Sequence, residues 1–529
     1  MESLWIETTK DKIKLESLKR DETTEVCIIG GGLFGLTTAY YLSQNGFKVT
    51  VLEKDEIGKR ASGNTTGKIT SQHDLFYAHL IDDYGEEFAK KYLEANENAI
   101  KNIKKIVEEE KIECDFCEEK SYVYTTKEDE VIEIEKEVEA VKKLGKEAKF
   151  VTKIDLPIKI KGAIEFENQA QFHPRKYMIG LAEAILKENK IYQHTKVTDV
   201  KKDNEQYKIC TENGNVYAKY VVIASHFPIV NMPGFYFGKM YQSTSYLIAI
   251  ETKSKLPQGM YINVKEPLYS FRTAKYNGKD VLLIGGNGNK TGEAIPDENH
   301  YEMLEKKAKA LYPDCKILYR WNTQDCISLD KIPYIGEFSN LIKNVYVGTG
   351  FKKWGMTSTN VAAQIVSDEI MKKPNKYADV FTATRVKPIK NRWEVENMVK
   401  ETVNSIALNK FKIEPYSVEQ IENDNGVILK INGENVGIYK DKVGKIYAVK
   451  PNCAHLGCLL SWNNLDKTWD CPCHGSRFDY TGKNIYEPAI KNLATFNDLN
   501  WIVQNFKKMF TKNSWFAIIK MYMINKGEL

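Results

Sequence analysis

The sequence has few prolines, few cysteines and almost no net charge. Its 529 residues include 15 prolines and 10 cysteines, and 42% of them are hydrophobic. This composition excludes a collagen-like, a largely disordered or a disulfide-scaffolded protein. The net charge of +5 is too small over this length for the basic footprint of a nucleic-acid-binding protein. Since a domain takes about 150 residues, the chain is expected to form several globular domains.

Long apolar runs are also missing. No stretch reaches the roughly 18 uncharged apolar residues of a membrane-spanning helix. The first 25 residues lack the apolar run and small-residue cleavage site of a signal peptide. These absences predict a cytoplasmic protein. Residues 497–529 carry five lysines against Asp498 and Glu528, together with several aromatic residues; packing onto the rest of the protein is favoured there over peripheral contact with an anionic membrane.

A glycine-rich turn near the start of the chain indicates a dinucleotide site. Residues 25–53 are predicted to form a strand, a turn, a helix and a second strand, with Gly30, Gly32 and Gly35 at the turn and Glu53 ending the second strand. Glycines let the backbone approach a pyrophosphate at the helix N-terminus, and the carboxylate accepts from ribose hydroxyls. The alternative is a purely structural turn. The fingerprint by itself leaves FAD and NAD open.

Two later segments narrow this choice. Arg60–Lys68 follows the second strand, and Val347–Ser358 is a glycine-rich stretch near the end of the α/β body. With the first turn, this layout over about residues 20–370 resembles the D-amino-acid oxidase family of flavoproteins. The resemblance implies non-covalently bound FAD, lined also by Ser62, Thr65, Ala224, Gly350 and Gly355.

The resemblance also implies the architecture and the chemistry of residues 1–371. We expect an α/β, Rossmann-like FAD-binding domain with an interleaved mixed-sheet substrate domain, followed by a linker over residues 372–410. In the family, the loop after the last glycine-rich strand often carries a basic residue that holds a substrate carboxylate, and Lys353 occupies about that position. Arg272 is a weaker candidate. Three single histidines are interpreted as structural: His73, His173 and His226.

Four of the ten cysteines fall between residues 453 and 473. Cys453 and His455 form one pair, and Cys471 and His474 form a second pair. Two loops that each offer a thiolate and an imidazole suit a [2Fe–2S] cluster with two Cys on one iron and two His on the other. A structural zinc site is the alternative, although zinc fingers usually pair Cys with Cys along the chain.

The full boxes, Cys-Ala-His-Leu-Gly-Cys and Cys-Pro-Cys-His-Gly-Ser, closely resemble those of the Rieske family. The resemblance implies a small all-β domain over residues 411–496 with four cluster ligands: Cys453, His455, Cys471 and His474. It further implies a disulfide between Cys458 and Cys473, as in the electron-transfer branch of the family. Phe478 stands where high-potential members carry a Tyr, so we expect a potential in the lower half of the range of about −150 to +300 mV.

Together these features predict an FAD-dependent dehydrogenase. A small-molecule substrate, an amine or an amino acid, would deliver a hydride to FAD, and the electrons would pass singly through the [2Fe–2S] cluster to an external one-electron carrier or a quinone. Two alternatives stay open: a reductase in which electrons run from a carrier through the cluster to FAD, and a non-catalytic redox sensor.

Overall fold

A computed structural model describes residues 2–293, 299–385, 420–431 and 433–496. The chain divides into two compact units, the first comprising Met1–Asn289 and Glu298–Ile389, the second Lys290–Asp297 and Lys390–Leu529. Among the described residues, no helix combines the length and the apolar character needed to cross a membrane. The predicted tail, residues 497–529, and most of the predicted linker lie outside the described residues. The cytoplasmic location stays a prediction.

The first unit contains both helices and strands. Its helices are α1 Leu4–Glu7, α2 Leu33–Gln44, α3 Ala61–Asn64, α4 Tyr77–Tyr84, α5 Glu86–Glu109, α6 Val131–Lys143, α7 Pro174–Leu186, α8 His300–Leu311, α9 Gly355–Ile370 and α10 Ala378–Phe381. Its strands are β1 Glu22–Ile29, β2 Val49–Leu52, β3 Lys68–Ile69, β4 Cys117–Thr125, β5 Lys149–Val151, β6 Gly162–Gln171, β7 Lys190–Tyr192, β8 Val197–Asp203, β9 Gln206–Thr211, β10 Asn215–Ile223, β11 Met240–Glu251, β12 Met260–Asn263, β13 Tyr269–Tyr276, β14 Lys279–Lys290, β15 Lys316–Ser328, β16 Tyr334–Ser339 and β17 Ile342–Thr349.

The first sheet of this unit has the order β16-β17-β10-β1-β2-β7, with β9 on β10 and β8 on β9. The pairs from β17 to β7 are parallel. All four residues of β2 and the last four of β1 are buried, as expected of parallel strands covered on both faces. Helix α2 connects β1 to β2 and packs against α7 and α9. This is the predicted strand, turn, helix and strand at residues 25–53.

The second sheet has the order β15-β11-β14-β13-β12-β4-β6-β3, with β5 on β6. Most of its pairs are antiparallel, but β12 and β4 run parallel. Its strands come from between the elements of the first sheet, so the predicted interleaved mixed sheet is confirmed. Residues 372–385, which the sequence assigns to a connection, include α10 with the fully buried Phe381.

The described part of the second unit is built from short antiparallel strands: β18 Asn425–Ile431, β19 Glu434–Lys440, β20 Ile446–Val449, β21 Ser461–Asn463, β22 Thr468–Asp470, β23 Arg477–Asp479 and β24 Asn484–Tyr486. They form the sheets β18-β19-β20 and β21-β22-β23-β24. One core cluster surrounds the buried Trp469 and includes four cysteines. The small all-β character predicted for this region is confirmed.

Candidate functional site

The glycine-rich turn joins β1 to α2 in very close packing. Gly30 has φ +119°, and a Cβ there would collide with the carbonyl of Ala224, which follows β10. A Cβ on Gly35 would collide with the Gly30 carbonyl. Both positions therefore require glycine, and together with Ala224 they let the turn approach the neighbouring strand. Three of the predicted FAD residues thus lie together.

Glu53, directly after β2, ties this turn from the other side. Its Oε2 accepts a hydrogen bond from Gly31 N at 2.7 Å and its Oε1 accepts from Asp55 N at 2.8 Å. Burial raises the pKa of Glu53, while these two backbone N–H groups oppose the rise. Each carboxylate oxygen keeps a second acceptor position, so the group can still bind ribose hydroxyls.

Ser62 lies at the N-terminus of α2. Its Oγ accepts from Leu33 N at 3.1 Å, and the residue that precedes the helix, Gly32, offers no side-chain cap. The N–H groups at the start of a helix can bind a pyrophosphate, and a glycine before the helix lets the pyrophosphate come close to the backbone. The arrangement fits the diphosphate of FAD, and Ser62, Gly32 and Glu53 surround the same turn.

The segment after Ser62 is held by residues that sequence reasoning did not assign to the site. Ser3 Oγ donates to Gly63 O, and Trp5 Nε1 donates to Thr65 O at 2.7 Å. Trp5 is 1% exposed and belongs to α1. The only signal in the sequence was the apolar Leu4-Trp5-Ile6 within a charged N-terminal stretch.

Arg272 acts on the same segment. Its guanidinium donates to Gly67 O at 2.9 Å and to Phe172 O at 3.1 Å, and it lies 5.3 Å from the ring of Trp5. Burial lowers the pKa of Arg272 to about 9. Through its contact with Gly67, Arg272 stabilises the segment Arg60–Lys68, which we call the FAD loop. Its predicted contact with the substrate stays a prediction.

The loop between β17 and α9 has an unusual backbone. Gly350, Lys352 and Lys353 have φ values of +73°, +50° and +68°, which are uncommon for lysine and mark a loop whose conformation is imposed by its surroundings. Lys352 Nζ lies 4.1 Å from the centroid of the Phe76 ring. Gly355 is the first residue of α9. The residue that is predicted to line the flavin therefore lies at a helix N-terminus.

His73 lies under this loop and is fully buried. Its Nδ1 is 2.8 Å from Tyr92 Oη, its Nε2 is 2.9 Å from Thr70 O, and its ring stacks on Trp354 at 5.1 Å. Burial lowers the pKa of His73 to about 3, with the charge of Lys352 adding to the effect. The ring is therefore neutral and held on both sides, consistent with its interpretation as structural.

In the second unit, the two predicted ligand loops have the same backbone design. Gly457 N donates to Cys453 O at 2.9 Å, and Gly475 N donates to Cys471 O at 2.9 Å. Both glycines have φ +79°. Cys453 N and Cys471 N each donate at 2.8 Å to the carbonyl five residues later. Two equivalent loops thus present two equivalent cysteines.

The four predicted ligands converge between these loops. Cys453 and Cys471 are 3% and 0% exposed, and their thiols are hydrogen-bonded, which lowers the pKa of Cys453 and raises that of Cys471. The rings of His455 and His474 are 5.2 Å apart at 89°. Burial lowers the pKa of His455 to about 4 and that of His474 to about 3. Two thiols that share a proton, together with two neutral imidazoles, are suited to bind metal ions.

Cys458 and Cys473 are joined in a disulfide that links the two loops. Their sulfurs and that of Cys471 lie within 4.8 Å of one another. Because two of the three are bonded to each other, they cannot serve as thiolate ligands, and the mixed set of two Cys and two His is the donor set that fits a cluster. The Ser476 hydroxyl is hydrogen-bonded to the Cys453 sulfur.

Comparison with known proteins assigns both units. The family described as FAD dependent oxidoreductase matches residues 25–369, and the Rieske [2Fe-2S] domain matches residues 413–497. Over 493 residues, 93% of this chain and 97% of the other, the sequence is 38% identical to YhfW of Bacillus subtilis, whose name describes a Rieske 2Fe-2S iron-sulfur protein.

Two further similarities concern the first unit. The gamma-glutamylputrescine oxidoreductase of Escherichia coli is 24% identical over 69% of this chain and 88% of its own length. The crystal structure of glycine oxidase from Geobacillus kaustophilus superposes with a TM-score of 0.60 at 20% identity, covering 69% of this chain and all of that one. At this level of identity, the similarity to glycine oxidase shows a shared fold only.

Proposed function

The chain belongs to the FAD dependent oxidoreductase family and carries a Rieske [2Fe-2S] domain, and from this premise we propose that it is a dehydrogenase for an amine or an amino acid. Electrons would leave through the cluster to an external one-electron carrier or a quinone. The observation that carries the proposal is the presence, in one chain, of a dinucleotide turn and a Cys₂His₂ donor set. A cluster outlet makes O₂ unnecessary as the acceptor.

The residues of the first turn would hold and orient FAD. Gly30, Gly32 and Gly35 keep the backbone free for the pyrophosphate, Ser62 fixes the start of α2, and Glu53 accepts from the ribose. Bound there, FAD would supply the acceptor for a hydride from a substrate C–H bond. The protein supplies the site that orients this bond and keeps water away from it.

The residues of the second unit would hold the cluster. Cys453 and Cys471 would bind one iron, and His455 and His474 the other. The disulfide between the loops keeps the two pairs together. Hydrogen bonds to the sulfurs, such as that from Ser476, tune the potential at which the cluster accepts a single electron.

The substrate class is supported by the first unit. The relatives and the fold neighbour named above include an oxidoreductase of gamma-glutamylputrescine and an oxidase of glycine, which are compounds that contain amino groups. Lys353 lies in the loop before α9, at a position suited to a carboxylate. An amine or amino acid is therefore the class that we expect.

The proposal is tested without oxygen. The purified holoprotein is mixed with single amines and amino acids, while FAD absorbance and the reduced-cluster EPR signal are followed. We expect at least one compound to reduce both centres. Reduction of FAD only from a reduced carrier, through the cluster, would instead identify a reductase, and reduction of the cluster with no response of FAD to any compound would favour a sensor.

A variant pair adds a check on the electron outlet. Cys453→Ser removes a proposed cluster ligand, and Cys315→Ser is a matched change in the first unit, where the thiol is partly exposed. We expect Cys453→Ser to retain reduction of FAD by substrate and to lose turnover with one-electron acceptors. Vigorous O₂ consumption, equal in Cys453→Ser and wild type, would overturn the dehydrogenase proposal.

A further inference from the structure

One face of β11 and β15 changes from apolar to polar along its length. The two strands pair antiparallel, with Leu247 opposite Trp321, Ser245 opposite Thr323 and Ser243 opposite Asp325. Directly opposite residues of antiparallel strands, and every second residue along each strand, share a face. These six side chains therefore belong to one face.

The apolar end of this face packs on the FAD loop. Leu247 and Trp321 lie in one core cluster with Leu4 and Trp5 of α1. The Trp321 indole donates to Asn64 O at 2.9 Å, between Ser62 and Thr65. Asp325 lies four residues further along the same face, at about 13 Å for extended backbone. The polar end thus continues the surface that the FAD loop covers.

Lys353 reaches the polar end from the loop before α9. Its Nζ lies 3.1 Å from the point that a Cβ on Gly288 would occupy, and Ser245 Oγ lies 3.0 Å from that point. Gly288 belongs to β14 and leaves this place without a side chain. The missing side chain lets the ammonium of Lys353 and the hydroxyl of Ser245 lie against this part of β14.

Asp325 and Lys353 lie close enough at this polar end for their opposite charges to interact. Burial raises the pKa of Asp325, and its electrostatic interactions with His226 and Lys353 oppose the rise. In the described ranges, neither the Asp325 carboxylate nor the Lys353 ammonium has a hydrogen bond or a salt bridge within 4 Å. Asp325 is partly buried, and a charge without such a partner is costly there, so a positively charged ligand would relieve that cost.

We propose that Asp325 binds the ammonium group of a substrate whose carboxylate lies at Lys353, so that the site prefers a zwitterionic amino acid to an amine alone. This inference rests on the proposed function and narrows its substrate class. Asp325 would contact the substrate from one face of the second sheet, and Lys353 from the loop before α9. Two opposite charges fix the orientation of a zwitterion, whereas each alone fixes one end.

The test uses three small compounds of similar shape that lack an oxidisable C–H bond next to the functional group. α-Aminoisobutyrate carries both charges, pivalate only the carboxylate, and tert-butylamine only the ammonium. Their binding to the oxidised holoprotein is followed by the change in the flavin absorbance spectrum, which requires no turnover. Wild type should bind α-aminoisobutyrate more tightly than either of the other two.

The variants should separate the two charges. Asp325→Asn should weaken the binding of α-aminoisobutyrate and of tert-butylamine by about 10- to 100-fold, which is the range of a charged hydrogen bond. The binding of pivalate should be unchanged or tighter. Lys353→Met should weaken the binding of α-aminoisobutyrate and of pivalate and leave the binding of tert-butylamine unchanged. Lys352→Met removes the neighbouring charge, and Asp199→Asn removes an exposed carboxylate on β8; both should behave as wild type.

Each outcome decides the proposal. Equal weakening of all three compounds by Asp325→Asn, or effects of Lys352→Met as large as those of Lys353→Met, would overturn it, as would absence of α-aminoisobutyrate binding in wild type. FAD content of each variant reports folding independently. If the charge pattern is found but no amine or amino acid reduces FAD, the proposed function fails while the binding site stands.

Discussion

Replacing Trp5 by Phe tests whether α1 is part of the FAD site. The change keeps an aromatic ring in the core but removes the N–H that donates to Thr65 O at 2.7 Å. An acceptor left without its donor costs about 1–3 kcal/mol when buried, and we take about 1–2 kcal/mol because Thr65 is partly exposed. Since 1.4 kcal/mol corresponds to tenfold, the Kd of FAD should rise by about 5- to 30-fold.

The assay is a titration of apoprotein with FAD, followed by quenching of the flavin fluorescence. Trp462→Phe is the matched control, because its indole donates to Asn464 in the second unit, and its FAD affinity should equal that of wild type. A Kd for Trp5→Phe within twofold of wild type, together with a lower Tm of the apoprotein, would show that α1 stabilises the fold without acting on FAD. That result would refute the reasoning.

Three further outcomes are expected. Gly35→Ala places a Cβ against the Gly30 carbonyl, so the purified protein should contain little or no FAD by absorbance; normal FAD content would contradict the packing argument. Ser476→Ala removes a hydrogen bond to the Cys453 sulfur, which favours the reduced cluster, so an EPR-monitored titration should give a lower potential; an unchanged potential would exclude this bond. Burial raises the pKa of Glu369 to about 7 from 4.5, so folding stability should fall as pH rises between these values; Glu369→Gln should raise Tm at pH 8 and leave it unchanged at pH 4.5, and an equal gain at both pH values would contradict the assignment.

The local signals in the sequence were sufficient for the two cofactor regions. The first glycine-rich turn is predicted from a strand, a turn and a helix that follow one another directly in the sequence. Helix α2 ends at Gln44, one residue before the expected Asn45. The two Cys and His boxes are also local, because each loop builds its own backbone turn around one cysteine. Motifs of this kind can be interpreted from neighbours in the sequence alone.

Contacts between distant segments could not be found in this way. Trp5 and Thr65 are 60 residues apart, and nothing in the spacing of either residue indicates their hydrogen bond. Asp325 stands in a strand whose polar face becomes apparent only when β11 is paired with β15. Residue type makes Arg272 a candidate for a substrate contact, but it does not reveal that the guanidinium donates to backbone carbonyls.

The central claim, that electrons run from substrate through FAD to the cluster, is tested most directly by the order of reduction. Once a reducing amine or amino acid is identified, it is mixed rapidly and anaerobically with the holoprotein, and FAD absorbance and the cluster EPR signal are recorded over time. The account predicts that FAD bleaches first and that the cluster signal follows. Fully reduced FAD beside a cluster that stays oxidised, or a cluster that is reduced before FAD, would contradict it.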